Sequence, residues 1–324
     1  MHHHLMPPFV LEAYAANRLE EESEAVCLVV DTSGFTPLTT ALVQHGAEGA
    51  EVLAQVLANI FTPLLDIVYT QGGYVASFAG DAFKAIFPGL NPESHRRATT
   101  AAWQICQQMV ARPVQTTRFG EFRFAVKVMM ASGPLTWRIW RAAEETSGSQ
   151  QAALLFGGPA LEAALAADPL AQAGEVILTA QVAAQLATTD LATTDARLVA
   201  VADHFRLLAW SMPASERISV APSPAPAPCA THFFPAELFD RQTQGEFRQV
   251  VTVFVNLQTL PSGATAARFI TTFFRLLAQY GGYLCRIGQI GAQDHGGTFL
   301  LFWGAPTSHE NDVERALHFV LALR

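Results

Sequence analysis

The sequence predicts a mixed fold in which helices pack on one sheet, and the same arrangement begins again after a linker. Short apolar runs of strand length alternate with longer segments whose apolar residues recur at helical spacing. Alternating strands, hairpins and helices indicate α/β or α+β packing. A proline-rich stretch within 212–235 interrupts the pattern, and the opening arrangement returns in altered form beyond it.

Composition limits the classes of protein that the chain can represent. The chain has 324 residues, a length that suits about two domains, and 50% of them are hydrophobic, which is enough to bury a core. A formal net charge of −8 argues against a nucleic-acid-binding surface. The sequence shows neither an uninterrupted apolar run near the ~20 residues of a membrane span nor the pattern of a signal peptide. Its four well-separated cysteines, without C-x-x-C spacing, predict reduced thiols and a cytoplasmic location.

The first part of the chain begins with a partly helical lead-in that ends in the acidic run Glu20–Glu22. The predicted strands are Val26–Val30, Tyr74–Phe78, Ala82–Phe87, Phe122–Ala131 (with Leu135–Trp140 as a candidate hairpin partner), Leu154–Phe156, Glu175–Leu178, Arg197–Val201 and His204–Trp210. The predicted helices are Leu53–Val68, Glu93–Val110, Leu161–Ala167 and Gln181–Leu186. Pro63 lies inside the first helical pattern, where proline should kink or divide a helix.

The second part repeats the first at the scale of a domain. The run Val251–Val255 ends at Asn256 as Val26–Val30 ends at Asp31, and GGTFLLFWGA matches GDAFKAIFPG. A second amphipathic helix runs into GGY at 281–283, as the first runs into GGY at 72–74. We therefore predict a lead-in at 1–22, a first domain at 23–211, a proline-rich linker at 212–246 and an incomplete second domain at 247–324.

Two aspartates stand beside glycine-containing turns. Asp31 ends an apolar strand, where an unpaired carboxylate is costly, and Asp81 lies in a tight hairpin. Such a pair suits divalent cations, although aspartates also cap turns. The residues after Asp31 lead into a helix, whose N-terminus favours phosphate: Ser33, Gly34, Phe35 and Thr36.

The motifs VVDTSGFT, GGY and FAGDAF, in this order, resemble the class III adenylyl/guanylyl cyclase catalytic domain. The tandem arrangement with a degenerate second copy is most similar to the soluble adenylyl cyclase branch. The resemblance covers residues 25 to about 210 as a whole domain and 247–324 as part of another. It implies an α+β, ferredoxin-like cyclase domain with an antiparallel-rich sheet and helices packed on it, followed by a partial second copy.

The resemblance also implies a reaction and roles for residues. A cyclase of this branch converts ATP to cyclic AMP and pyrophosphate with two Mg²⁺ ions, for which Mn²⁺ can substitute; GTP is the other possible substrate. Asp31, Asp81 and the Thr32 carbonyl would hold the ions. Lys127, together with the amides of residues 33–36, would bind the triphosphate, and Arg286 the purine. The alternative for Lys127 is an exposed strand lysine that binds no ligand, and the alternative for Arg286 is a surface arginine.

Several positions depart from the family pattern. Asn256 and Gly297 stand where the second copy would carry metal-binding aspartates. Ser77 and Leu165 replace basic residues that are implicated in bicarbonate activation, so a bicarbonate response is not expected. The transition-state Asn and Arg would lie beyond Arg324. We therefore expect weak or no turnover by this chain alone.

Three questions stay open at the level of sequence. A cyclase-fold module that binds nucleotide for regulation, without catalysis, is the alternative function. The site is completed either by pairing of the two domains within the chain or by a homodimer. The segment Trp137–Arg141 is either a hairpin arm that packs on the second domain or an aromatic–cationic ligand patch.

Overall fold

The computed structural model describes residues 6–142, 152–188, 195–211, 231–234, 247–259, 263–289 and 297–324. Its helices are α1 (Pro8–Ala15), α2 (Phe35–Val43), α3 (Gly46–Thr70), α4 (Pro92–Ala111), α5 (Pro159–Ala166), α6 (Ala180–Thr188), α7 (Gly263–Tyr280) and α8 (Asp312–Leu323). Its strands are β1 (Glu20–Ser33), β2 (Tyr74–Ala79), β3 (Ala82–Pro88), β4 (Val114–Thr117), β5 (Gly120–Arg123), β6 (Ala125–Arg141), β7 (Ala152–Gly157), β8 (Val176–Thr179), β9 (Asp195–Val201), β10 (His204–Ser211), β11 (Val251–Leu257), β12 (Tyr283–Gln289) and β13 (Gly297–Trp303).

An eight-stranded sheet organises the first part of the chain. Its order is β2-β3-β1-β6-β8-β10-β9, and β7 pairs with β6. Every pair is antiparallel except β6 with β8, which is parallel. Helices α2, α3, α4 and α6 bury one face of the sheet, and α1 and α5 cover the other. The predicted α+β class with an antiparallel-rich sheet is confirmed.

A second, three-stranded sheet has the order β11-β13-β12, with α7 and α8 packed on one face. This order matches β1-β3-β2 of the first sheet. The registers also correspond, because Asp31 lies opposite Ala82 and Asn256 opposite Thr298. The second sheet therefore has the strand order of β1, β3 and β2 and the corresponding register.

The region around β6 differs from the prediction. The expected hairpin between Phe122–Ala131 and Leu135–Trp140 is wrong, because β6 runs without a turn from Ala125 to Arg141. It pairs with β1 along all 14 residues of that strand, which holds the chain extended past Pro134. The hairpin partner is β7, whereas Phe122 belongs to β5 and pairs with β4.

Two further expectations change. Helix α3 is not divided at Pro63 and continues from Gly46 to Thr70. Apolar residues on both sides of the proline, among them Ile60 and Leu64, are buried in the core, and this burial offsets the ~3 kcal/mol cost of an internal proline. Strand β1 begins at Glu20, so the acidic run is part of the sheet.

Helix α3 is long and apolar enough, by length and composition alone, to cross a membrane. One face of it packs on the sheet through four core residues: Val56, Ile60, Leu64 and Val68. The expectation that the chain has no membrane span stays a prediction.

The described cysteines are free thiols. Burial raises the pKa of Cys27 and of Cys106 to about 12, which keeps both protonated and unreactive. Cys285 is exposed, and Cys229 lies outside the described residues. Of the predicted linker 212–246, only residues 231–234 are described; there the ring of Phe233 packs 4.9 Å from that of Tyr14 on α1.

Candidate functional site

One end of the first sheet brings the two aspartates to neighbouring positions. Asp31, near the end of β1, pairs with Ala82 on β3 and with Lys127 on β6. Asp81 directly precedes Ala82, in the tight turn Gly80-Asp81 that joins β2 to β3. Both aspartates are half-buried. The structure therefore places Asp31 on β1 between Lys127 on β6 and the turn that carries Asp81 at the start of β3.

Lys127 is held between two carboxylates. Its Nζ lies 3.4 Å from Asp31 Oδ2 and 3.0 Å from Asp168 Oδ1. Burial alone would lower the pKa of Lys127, but the hydrogen bond and charge of Asp168, together with those of Asp31, outweigh it and raise the pKa. The ammonium is therefore charged and paired, rather than free on an exposed strand.

Sequence analysis missed Asp168. The residue opens a 3₁₀ turn, Asp168–Leu170, that follows α5. Helix α5 packs on β6 and β1 through its buried residues, and this packing brings the turn to Lys127. An Asp-Pro dipeptide after a helix is typical of a turn, so the sequence carries no signal that links Asp168 to the site.

Gly34 shapes the backbone between Asp31 and α2. It precedes the helix with φ +114°, and the helix has no side-chain cap. A Cβ at Gly34 would lie 2.4 Å from the Arg123 carbonyl oxygen and 2.9 Å from the Phe124 ring. A side chain is excluded from this position by the close approach of β5 and by the left-handed backbone. The turn between Asp31 and α2 therefore requires glycine at this position.

The next residues anchor that turn. The Phe35 side chain is buried, with its ring centroid 5.6 Å from Phe61 and 5.0 Å from Phe124. Ser33 and Thr36 are exposed. Only the backbone of Phe35 is therefore available to a ligand, and the helix N-terminus favours an anionic one.

Thr32 is fully buried, and its hydroxyl oxygen finds no hydrogen-bond partner among the described residues. Its side chain points away from Asp31, because neighbours on a strand face opposite sides of the sheet. Only its carbonyl could serve a ligand at this end. Within the described ranges, no three His, Cys, Asp or Glu side chains cluster to hold a metal ion.

Arg286, from the second sheet, reaches the hairpin that carries Asp81. Its Nη1 donates to the Phe78 carbonyl oxygen across 3.5 Å. Burial lowers the pKa of Lys84 on the same hairpin, and the charge of Arg286 lowers it further. Arg286 remains exposed to solvent, but it lies against the first domain beside the candidate site.

The departures from the family pattern are visible in the structure. In the second copy, the Thr298 hydroxyl donates to Asn256 Oδ1 across 2.8 Å, so a hydrogen bond occupies the place of the first aspartate. Gly297 is buried. Ser77 lies opposite Lys84 on the hairpin, and Leu165 is an exposed residue of α5.

The segment Trp137–Arg141 packs within the protein. The Trp140 ring stacks on Phe299 of the second sheet with centroids 5.7 Å apart. Arg138 pairs with Glu20 at 2.8 Å, and the Arg141 guanidinium lies 5.8 Å from the Tyr14 ring. Within this segment Trp140 packs on the second sheet, whereas Arg138 and Arg141 contact the first part of the chain.

No model of a known protein family matches the sequence, and no curated protein does either. A comparison with solved structures finds the guanylyl cyclase domain of the RhoGC fusion protein from the aquatic fungus Blastocladiella emersonii, with a TM-score of 0.46 and 16% identity over 60% of this chain and 99% of that one. It also finds the guanylate cyclase domain of RhGC from Catenaria anguillulae in complex with GTP, with a TM-score of 0.46 and 15% identity over 59% of this chain and 100% of that one. The adenylyl cyclase CyaB from P. aeruginosa matches with a TM-score of 0.43 and 16% identity over 61% of this chain and 97% of that one. All three are cyclases.

Proposed function

We propose that the chain is a nucleotidyl cyclase module that converts ATP to cyclic AMP and pyrophosphate, with GTP as the other candidate substrate. The observation that carries the proposal is the register of β1 with its two neighbours, which sets Asp31 beside the Asp81 turn and beside Lys127. In this proposal the first domain supplies the cation and triphosphate sites. The second domain supplies the purine site.

The residues present fit magnesium. Two carboxylates and the Thr32 carbonyl are hard oxygen ligands, and Mg²⁺ usually takes one or two carboxylates together with waters and substrate phosphates. When bound, two such ions, Mg²⁺ or Mn²⁺, would neutralise the phosphates and activate the ribose 3′-hydroxyl.

The chain's own residues would bind and orient the nucleotide. In this proposal the amides of residues 33–36, at the start of α2, offer donors to the triphosphate. The Lys127 ammonium adds a point charge, and Arg286 offers donors to a purine acceptor.

The test measures cyclic nucleotide formed from ATP or GTP with Mg²⁺ or Mn²⁺, beside the binding of a fluorescent nucleotide. Asp31→Ala and Asp81→Ala should abolish product and weaken cation-dependent nucleotide binding. Asp66→Ala, which removes an exposed aspartate from α3, is the matched control and should behave as the wild type. Measurable product formed equally by the wild type and both site variants, or cation-dependent nucleotide binding that both variants keep, would refute the metal-site assignment.

A regulatory module that binds nucleotide without turnover is the second candidate. The departures from the family pattern at Ser77, Leu165 and Arg286 favour it. Cation-dependent nucleotide binding that Asp31→Ala abolishes, together with no cyclic product after prolonged incubation with either nucleotide, would select this function over the cyclase.

A further inference from the structure

The Lys127 ammonium at the site is shared by two carboxylates, Asp31 and Asp168, and only Asp31 is a proposed cation ligand. Asp31 belongs to the candidate cation site, whereas Asp168 lies on a turn outside the set of residues assigned to that site. Lys127 Nζ is closer to Asp168 Oδ1, at 3.0 Å, than to Asp31 Oδ2, at 3.4 Å. The Lys127 side chain is 22% exposed, so these two contacts are only partly screened by solvent.

An ammonium paired with Asp31 opposes a divalent cation at that carboxylate. It repels the incoming ion, and it occupies lone pairs that the ion would use. A second carboxylate that holds the ammonium reduces this opposition. Asp168 can do so because α5 is packed against β1 and β6 through its buried residues, which fixes the turn next to Lys127.

We propose that Asp168 is a positioning residue: it draws the Lys127 ammonium off Asp31 and so keeps Asp31 available for a divalent cation. The inference rests on the proposed function, because it takes Asp31 as a cation ligand. It assigns Asp168 no contact with the nucleotide or the cation. Its effect on cation affinity passes entirely through Lys127.

The experiment measures the affinity of the whole chain for Mn²⁺ alone, without nucleotide, by isothermal titration calorimetry. Asp168→Asn should weaken Mn²⁺ binding by about two- to fivefold, the range that one partly exposed ion pair supports. Asp168→Glu should restore the wild-type affinity, since it returns a carboxylate to the same turn. Glu162→Gln removes one negative charge from α5, the helix that leads to Asp168, and should leave the affinity unchanged.

A double-mutant cycle with Lys127→Met separates positioning from simple loss of charge. In the Lys127→Met background, Asp168→Asn should have no further effect on Mn²⁺ affinity. The same loss with and without Lys127 would overturn the inference, because it would show that Asp168 acts on the cation by its own charge. An Asp168→Asn affinity equal to that of the wild type would overturn it as well.

Failure of the proposed function gives a different result. If Asp31→Asn binds Mn²⁺ as the wild type does, the cation site is wrong and the inference falls with it. If Asp31→Asn loses Mn²⁺ binding while Asp168→Asn keeps it, only the role of Asp168 is wrong. Thermal unfolding of each variant establishes that the chains compared are folded.

Discussion

Gly73 and Gly282 occupy equivalent places in the two copies, and the structure gives both the same reason to be glycine. A Cβ on Gly73 would lie 2.6 Å from the ring of Phe87, and a Cβ on Gly282 would lie 2.5 Å from the ring of Trp303. Phe87 comes from β3 and Trp303 from β13, strands at corresponding places in the two sheets, and each ring fills the space next to its glycine. The GGY pattern that reveals the repeat in the sequence is therefore a packing requirement.

Gly73→Ala should lower the free energy of unfolding by about 1–3 kcal/mol, the usual cost of overpacking a filled core. Urea unfolding followed by circular dichroism measures it. Gly288→Ala is the matched control, because the nearest atom to a Cβ there is 4.0 Å away and its backbone is not left-handed. Equal losses in both variants would mean that the Phe87 contact does not decide the effect.

His95 should make stability depend on pH. The side chain is 1% exposed; burial lowers its pKa below the ordinary value of 6.5, and the hydrogen bond from Nδ1 to the Asn91 carbonyl only partly compensates. The unfolded chain therefore takes up a proton as the pH falls through 6.5, whereas the folded chain does so only at a lower pH. The free energy of unfolding should fall with decreasing pH in that window, by at most about 1.4 kcal/mol per pH unit.

Urea unfolding of wild type and His95→Gln between pH 7.5 and about 5 tests this dependence, since one buried histidine changes the slope by one proton at most. His95→Gln should show a flatter dependence on pH. His45→Gln, which replaces an exposed histidine, is the control. If the His95 and His45 variants keep the slope of the wild type, burial of His95 does not control it.

At the scale of elements, the sequence predicts strands whose residues are buried, and it misses strand segments that form only because a neighbouring strand pairs with them. The apolar half of β1 appears as a strand in the sequence because its residues are buried on both faces of the sheet. Its acidic half, from Glu20, has no apolar pattern and is a strand only because β6 pairs with it. The same partnership carries β6 straight through Gly133-Pro134, where local signals favour a turn.

The candidate site divides in the same way. Asp31, Asp81 and the turn at Gly34 could be predicted because each lies next to a recognisable strand end or glycine. The partnership of Lys127 with Asp168 could not, because it joins a strand to a turn that is distant in the chain and is brought close only by the packing of α5. Side-chain contacts of this kind follow from tertiary structure, not from periodicity.

At the scale of the whole molecule, the long β6 strand joins the two sheets. Trp140, near its end, lies in the hydrophobic cluster of the second sheet, together with Ala153 of β7. The stacked pair Trp140–Phe299 is buried on both sides, at 5% and 0% exposure. The extension of β6 beyond Pro134 therefore supplies the surface on which the second copy packs, and Arg286 meets the Asp81 hairpin in the same arrangement.

Trp140→Ala should loosen the joint between the two sheets. Truncating a buried tryptophan lowers the stability of a core by about 3–5 kcal/mol. Here the lost packing destabilises the second sheet and its contact with the first. We expect an earlier unfolding transition for the second part of the chain and a larger radius of gyration by small-angle X-ray scattering. Trp137→Ala is the matched control, because Trp137 is buried in the cluster beneath α5 and should weaken the first sheet instead. If both variants shift the same transition and leave the radius unchanged, Trp140 does not hold the joint.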